Sequence, residues 1–403
     1  MAGRETAIVA AASLVLAACG AEPEAPPKRE PVETLDAIGD PEGSLRLLAL
    51  AGYVEDGSTD PDIDWVTPFE QRTGCLVDVR YADSPEEVAV SFLTEPPGSF
   101  DGVTAPGVAA GLLIAAGAVA PVDPALFPGF AHVLAPLRPD AARHYVVGND
   151  VYGVPALYGP TLLLFDRARV RPAPRSWGAV FDPDPRQAGR IGMYDSPIAI
   201  ADAALYVAVR DPELGIQDPY ALTPRQLDAV TDVLADQEPD VGRYWTLLAD
   251  QVDAFREGEV TVGSAWPIVF TLLETDRASM TAIVPSEGTT GWADTWMVAA
   301  DAPHPNCMLE WMRWSLRADV QAQMALWYGA APSNARACDL LRRELGAFAP
   351  QADTLRFGRC GDESFLASLA LWRLPSVECG DGRGRACTGY EAWQLRWRSI
   401  RDR

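Results

Sequence analysis

Residues 291–296 read GWADTW and set Trp292 and Trp296 on either side of one acid, Asp294. An indole is an apolar body whose face attracts cations, and a carboxylate seeks water or a positive charge. Two readings follow. Asp294 caps a turn beside two core tryptophans, or the trio forms an aromatic cage with one anionic wall, built to hold an ammonium group. The elements that would position such a cage decide between them.

Those elements alternate. Leu45 to Leu50 read as a buried strand ended by Gly52, and residues 60–73 carry a helical apolar face of Ile63, Trp65, Val66 and Phe69, with Gly74 as a stop. CLVDVRY returns as a strand, DSPEEVAVSFL as a helix with Ser84-Pro85 at its start, and FDGVTAP as a short strand before a loop. VYGVPALYGPTLLLFD, residues 151–166, reads as two strands joined by a Gly-Pro turn, long enough to link two lobes. A second set follows: RIGMYD as a strand, SPIAIADAALYVAV as a helix with Ser196 as N-cap, and LTPRQLDAVTDVLADQ with Thr223 and Pro224 in the same roles. FREGEVTVGSAWP then runs from helix to strand and ends at Trp266. Strand–helix alternation of this kind predicts α/β lobes with largely parallel sheets.

The amino terminus points to export. AIVAAASLVLAA, residues 7–18, is too short for a stable bilayer span and suits a signal segment. It runs into LAAC, which resembles the bacterial lipoprotein signal and makes Cys19 the expected lipidation residue. Residues 20–43 are rich in Pro, Glu and Gly, and read as a flexible tether. Beyond Cys19 six cysteines remain: Cys75, Cys307, Cys338, Cys360, Cys379 and Cys387. An even number in an oxidising compartment predicts three disulfides. Cys379 and Cys387 enclose a Gly-rich loop that a short bridge can close; the other pairings stay open. No CxxC pair supports zinc. A formal net charge of -23 repels nucleic acid and favours cationic ligands.

The order of these pieces resembles the substrate-binding proteins of ABC importers, specifically the putrescine/spermidine-binding group. The likeness runs through residues 45–336, on LLALAGYVEDG, FEQRTGCLVDV, SFDGV, YGVPALYGPTLLLFD, SWGAVFDP, FREGEVTVGSAWP, VPSEGTTGWADTWMV and YGAAPSNARA. It implies an α/β, two-lobed, periplasmic-binding-protein-like (type II) fold with the ligand cleft between the lobes. The lobes would be 44–151 plus 293–338 and 152–292 plus 339–403. It further implies a small cationic ligand, a polyamine, a membrane permease as partner, a monomer, no cofactor and no catalysis; the alternatives are the same fold holding another small amine or an amino acid, and an envelope lipoprotein without a transport role.

Carried over residue by residue, the likeness makes Tyr53, Trp266 and Trp292 cleft walls and Asp294 the ammonium acceptor. Other family positions are not kept. Leu50 stands where the family has an aromatic residue, Ser196 and Ala199 where it has acids, and Ala330 where it has a late tyrosine. Asp195 is the candidate for a second acid, and Tyr158 and Trp372 are further candidate aromatics. Trp311 and Trp314 read as core. An enzyme finds no support: three histidines lie in no recognisable triad context, and GDGRG at 380–384 neither follows a strand nor opens a helix.

Overall fold

The structure, a computed structural model, describes residues 32–274, 279–344 and 359–402. The expected signal segment, Cys19 and the first part of the expected tether lie outside the described residues. In chain order the strands are β1 (Ser44–Leu50), β2 (Leu76–Ala82), β3 (Gly102–Ala105), β4 (Val146–Val147), β5 (Asp150–Val151), β6 (Val154–Pro160) and β7 (Leu162–Asp166). They continue as β8 (Ile191–Tyr194), β9 (Val241–Trp245), β10 (Val262–Ala265), β11 (Met280–Ile283), β12 (Thr290–Val298), β13 (Ala331–Pro332) and β14 (Ala370–Leu371). One sheet has the order β13-β6-β12-β3-β1-β2, with β14 also on β12, and a second has the order β11-β7-β10-β8-β9. These sheets, with their helices, are the two lobes.

Both sheets are mixed rather than largely parallel. The strands β1, β2 and β3 are parallel, as are β8, β9 and β10. The strands adjoining the crossings, β6, β12, β7 and β11, enter antiparallel. Of these, β6, β7 and β12 are buried on both faces. Two of the three expected helix caps form, at Ser84 and Thr223. Ser84 accepts from the Glu87 amide at the start of Pro85–Thr94, and Thr223 and Gln226 form a reciprocal capping box at Pro224–Gln237. The exception is Ser196. It accepts from Ile198 N–H at 3.4 Å, but the helix begins at Ala199, so Ser196 and Pro197 belong to a preceding turn.

The lobe boundaries move from those expected. β6 pairs throughout with β12 in the first sheet, so the first crossing lies at Thr161 and not at 151/152. All of β12 belongs to that sheet as well, which shifts the return crossing to the segment before Thr290. The helix Ala335–Glu344 and β14 stay with the first lobe, so the third passage lies near residues 372–389 rather than at 338/339. It ends in the helix Tyr390–Arg401, which packs on Pro224–Gln237 of the second lobe. Gly107 gives this passage room, because a Cβ there would sit 1.7 Å from the Trp372 carbonyl oxygen.

The second part of the expected tether is docked. The Leu35 amide donates to Pro121 O and its carbonyl accepts from Asp123 N–H, both at 2.9 Å. Glu42 accepts from the amides of Asn306 and Cys307, each at 2.9 Å. Val32, Leu35 and Ile38 pack against the core, and these spaced apolar residues are what a composition-based reading passes over. The cysteines pair as Cys75–Cys307, Cys338–Cys360 and Cys379–Cys387.

Candidate ligand-binding cleft

Asp294 sits in β12 where the register against β6 slips between Ala293 and Thr295. Such irregularities re-aim side chains and are common next to functional sites. The Asp294 carboxylate accepts from the Tyr53 hydroxyl. Tyr53 lies on the turn after β1, whose sharp course depends on Gly52 at φ +88°. A Cβ at Gly52 would also come within 3.1 Å of the Tyr328 ring. Tyr328 ends the helix Ala318–Tyr328 and meets both partners edge-on, with ring centroids 4.7 Å from Tyr53 and 6.0 Å from Trp292. The structure therefore joins Tyr53, Trp292 and Asp294. It separates Trp296, which packs against Trp311 at 5.5 Å and belongs to the core.

The electrostatics of this group are set by burial. Asp294 is 2% exposed. Loss of hydration pushes its pKa up to about 7, against the opposing pull of the Tyr53 hydrogen bond. Burial likewise raises the Tyr53 hydroxyl, and the adjacent Asp294 adds to the rise. Among the described residues no Lys, Arg or His side chain pairs with Asp294.

Trp266 occupies a second aromatic group. Tyr194, Trp245 and Trp266 stand at the carboxyl ends of β8, β9 and β10, where open α/β sheets place their ligands. Trp266 lies 5.3 Å from Tyr194 and 5.1 Å from Trp245, and Tyr194 stacks on Trp372 at 5.9 Å and 8°. Tyr194 also reaches across the cleft and donates to Glu86 of the first lobe at 2.7 Å. Trp372 donates to Thr290 Oγ1 at 3.2 Å, and Thr290 donates to the buried Asp202 at 2.7 Å. Tyr158 is fully buried in β6.

A cavity of about 560 Å³ opens between the two aromatic groups, with Trp266 on one wall and Tyr328 on the other. That volume suits a small organic ligand. Asp195 takes no part in it. Its carboxylate accepts from Arg401 Nε and Nη2 and from Trp397 Nε1, all at 3.0 Å. The expectation of a second ligand acid at Asp195 is thus corrected: a bidentate arginine already neutralises it. Among the described residues no cluster of three His, Cys, Asp or Glu side chains could hold a metal ion.

Residues 64–340 match the family model described as bacterial extracellular solute-binding protein. The chain belongs to this family. Such proteins serve ABC transporters as substrate-binding components and are not enzymes. The chain is 24% identical over 341 residues to the spermidine/putrescine-binding periplasmic protein of Escherichia coli K12, covering 81% of this chain and 93% of the relative. The corresponding protein 1 of Haemophilus influenzae is 24% identical over 337 residues, with 82% and 87% covered. Among solved structures, the spermidine/putrescine ABC transporter substrate-binding protein of Streptococcus pneumoniae superposes with a TM-score of 0.65 at 17% identity, over 89% of this chain and 99% of that one. A lipoprotein of Treponema pallidum superposes with a TM-score of 0.66 at 14% identity, over 89% and 100%. These structures establish the two-lobed fold.

Sequence reasoning passed over several side chains that this solute-binding protein brings to its cleft. Tyr328, two residues before Ala330, lines the cavity, and the Gly329 helix stop is the signal that could have drawn attention to it. Tyr194 carried a weaker signal, as an aromatic residue near the end of the predicted strand RIGMYD, and Trp245 carried none, because its strand was not predicted.

Proposed function

We propose that this solute-binding protein captures a small cationic amine between its lobes and hands it to an ABC permease. Putrescine and spermidine head the class, because the curated relatives carry those names. The observation that carries the reading is the buried Asp294–Tyr53 pair, left without a protein cation and walled by Trp292 and Tyr328. Asp294 and Tyr53 lie behind the Tyr328 wall of the cavity, and an ammonium group at that first-lobe wall would be attracted by the buried Asp294 charge through it. Contact with an aromatic face such as Trp266 adds roughly 0.5–2 kcal/mol. Lobe closure would hide the ligand from water and present both lobes to the permease. The protein would act as a monomer, held at the outer face of a membrane by lipid on Cys19.

Isothermal titration calorimetry tests the reading with putrescine, spermidine, n-butylamine, 2-phenylethylamine, choline, glycine betaine and a mixture of amino acids. Micromolar or tighter binding of at least one amine, weakened more than tenfold in Asp294→Asn, is the expected result. Silence toward every cation, or an amine affinity unchanged in that variant, would contradict it. For the anchor, Cys19→Ser should release the protein from the membrane fraction; retention would contradict lipidation.

A further inference from the structure

The cleft cavity is chemically one-sided. Its first-lobe wall presents two carboxylates, Glu55 and Asp83, beside Tyr81 and Tyr328. Its second-lobe wall presents Trp266, Ile268, Leu248 and Leu272, and no charged side chain among the described residues.

Glu55 is the informative residue. It is 7% exposed, yet no described side chain donates to its carboxylate. Its main chain is fixed, because its carbonyl accepts from the Trp65 and Val66 amides at 3.1 and 3.2 Å. A carboxylate on a fixed main chain that faces the cavity with no described side-chain partner is free to accept a charge-assisted hydrogen bond from a cation there. The negative potential at this wall is also felt by the Tyr81 hydroxyl, pushed up to about 12 by burial first and then by Glu55 and Asp56. Among the described residues the opposite wall offers no acid. Asp195 is committed to Arg401, and Ser196 and Ala199 carry no charge.

We infer that the ligand is an organic cation charged at one end only, with an apolar body. Its ammonium end faces Glu55 and Asp83, and its body lies against Trp266, Ile268 and Leu272. A diamine or triamine would have to bury a second ammonium group against that wall, where the described residues offer no acid to receive it. This inference rests on the reading of the cleft as a cation site and selects within that class.

The test is calorimetry of the full protein with probes of matched size: n-butylamine and 2-phenylethylamine against putrescine and spermidine. The wild type should bind the better monoamine at least tenfold more tightly than putrescine. Glu55→Gln should weaken the monoamine at least tenfold. Ile268→Asp, which adds an acid to the apolar wall, should shift the ratio at least tenfold toward putrescine, while the neutral Ile268→Asn should not. If Ile268→Asp fails to fold, the wild-type ratio and Glu55→Gln decide the matter. Equal or tighter binding of putrescine or spermidine by the wild type overturns the inference and leaves the cationic-amine reading standing. A monoamine affinity untouched by Glu55→Gln also overturns it. Silence toward every amine overturns both.

Discussion

Asp294 and Asp195 are both acids in or next to a strand, each beside tryptophan, and they have opposite fates. Asp195 follows β8 and receives two bonds from Arg401 and one from Trp397. The Arg401 guanidinium is held in turn over the Tyr244 ring at 3.5 Å. Among the described residues Asp294 receives one bond, from a neutral tyrosine, and no cation. A carboxylate whose counter-ion comes from the protein ties elements together; here it fastens the helix Tyr390–Arg401 to the second sheet. A buried carboxylate without a counter-ion must either take up a proton or wait for a cation from outside. In a solute-binding protein the second state is the one a cationic ligand can use.

The largest expected effect separates the two acids by pH. The pKa of Asp294 is raised to about 7 in the folded protein from an ordinary 3.8. The native state therefore keeps a proton that the unfolded chain releases between about pH 4 and 7. Stability is full below that window and falls as pH rises through it, by on the order of 4 kcal/mol if the whole shift is expressed. Asp294→Asn should be more stable than the wild type at pH 8 without ligand, with the gap closing toward pH 4, as read by denaturant titration. Asp202, also raised to about 7 by burial, gives a slope of the same sign in both proteins, so the difference isolates Asp294. A gap independent of pH would break the comparison.

The same substitution should cost more than tenfold in amine affinity, about 1.4 kcal/mol or more. Arg401→Gln is expected to do the reverse. It leaves Asp195 without its cation, and because about a third of each side chain is open to water, at 31% and 28%, the loss should be only about 1 kcal/mol. The thermal midpoint would fall by roughly 2 °C, while amine affinity stays within twofold. Smallest of all, Asp195→Asn should leave amine affinity within twofold; a tenfold loss would return Asp195 to the binding site.

Much of this was legible in the sequence. The alternation of strands and helices, and the order of short pieces from Leu45 to Ala337, carry the two-lobed fold. Tyr53, Trp292 and Asp294 came from the likeness to the family, and the structure brings the three together. Asp195 misled because the side chain that neutralises it lies 206 positions away, and no local pattern announces such a pairing. Tyr328 escaped because attention fell on Ala330, and only the packing shows the ring two residues earlier lining the cavity. Glu55 looks like any turn acid in YVEDG; only the packing around it makes it nearly buried. The lobe boundaries slipped because β6 and β7 form one apolar run, and the crossing at Thr161 leaves no mark in composition.

The most direct test of the central claim, that Asp294 is held for an external cation, is a proton count. The tightest-binding amine would be titrated calorimetrically at pH 6 in two buffers of different ionisation enthalpy, with the wild type and with Asp294→Asn. A cation arriving beside Asp294 should lower its pKa and expel its proton, so the wild type should release up to about one proton per ligand and the variant none. Binding heats that are equal in the two buffers for the wild type, or proton release that persists in Asp294→Asn, would contradict the account.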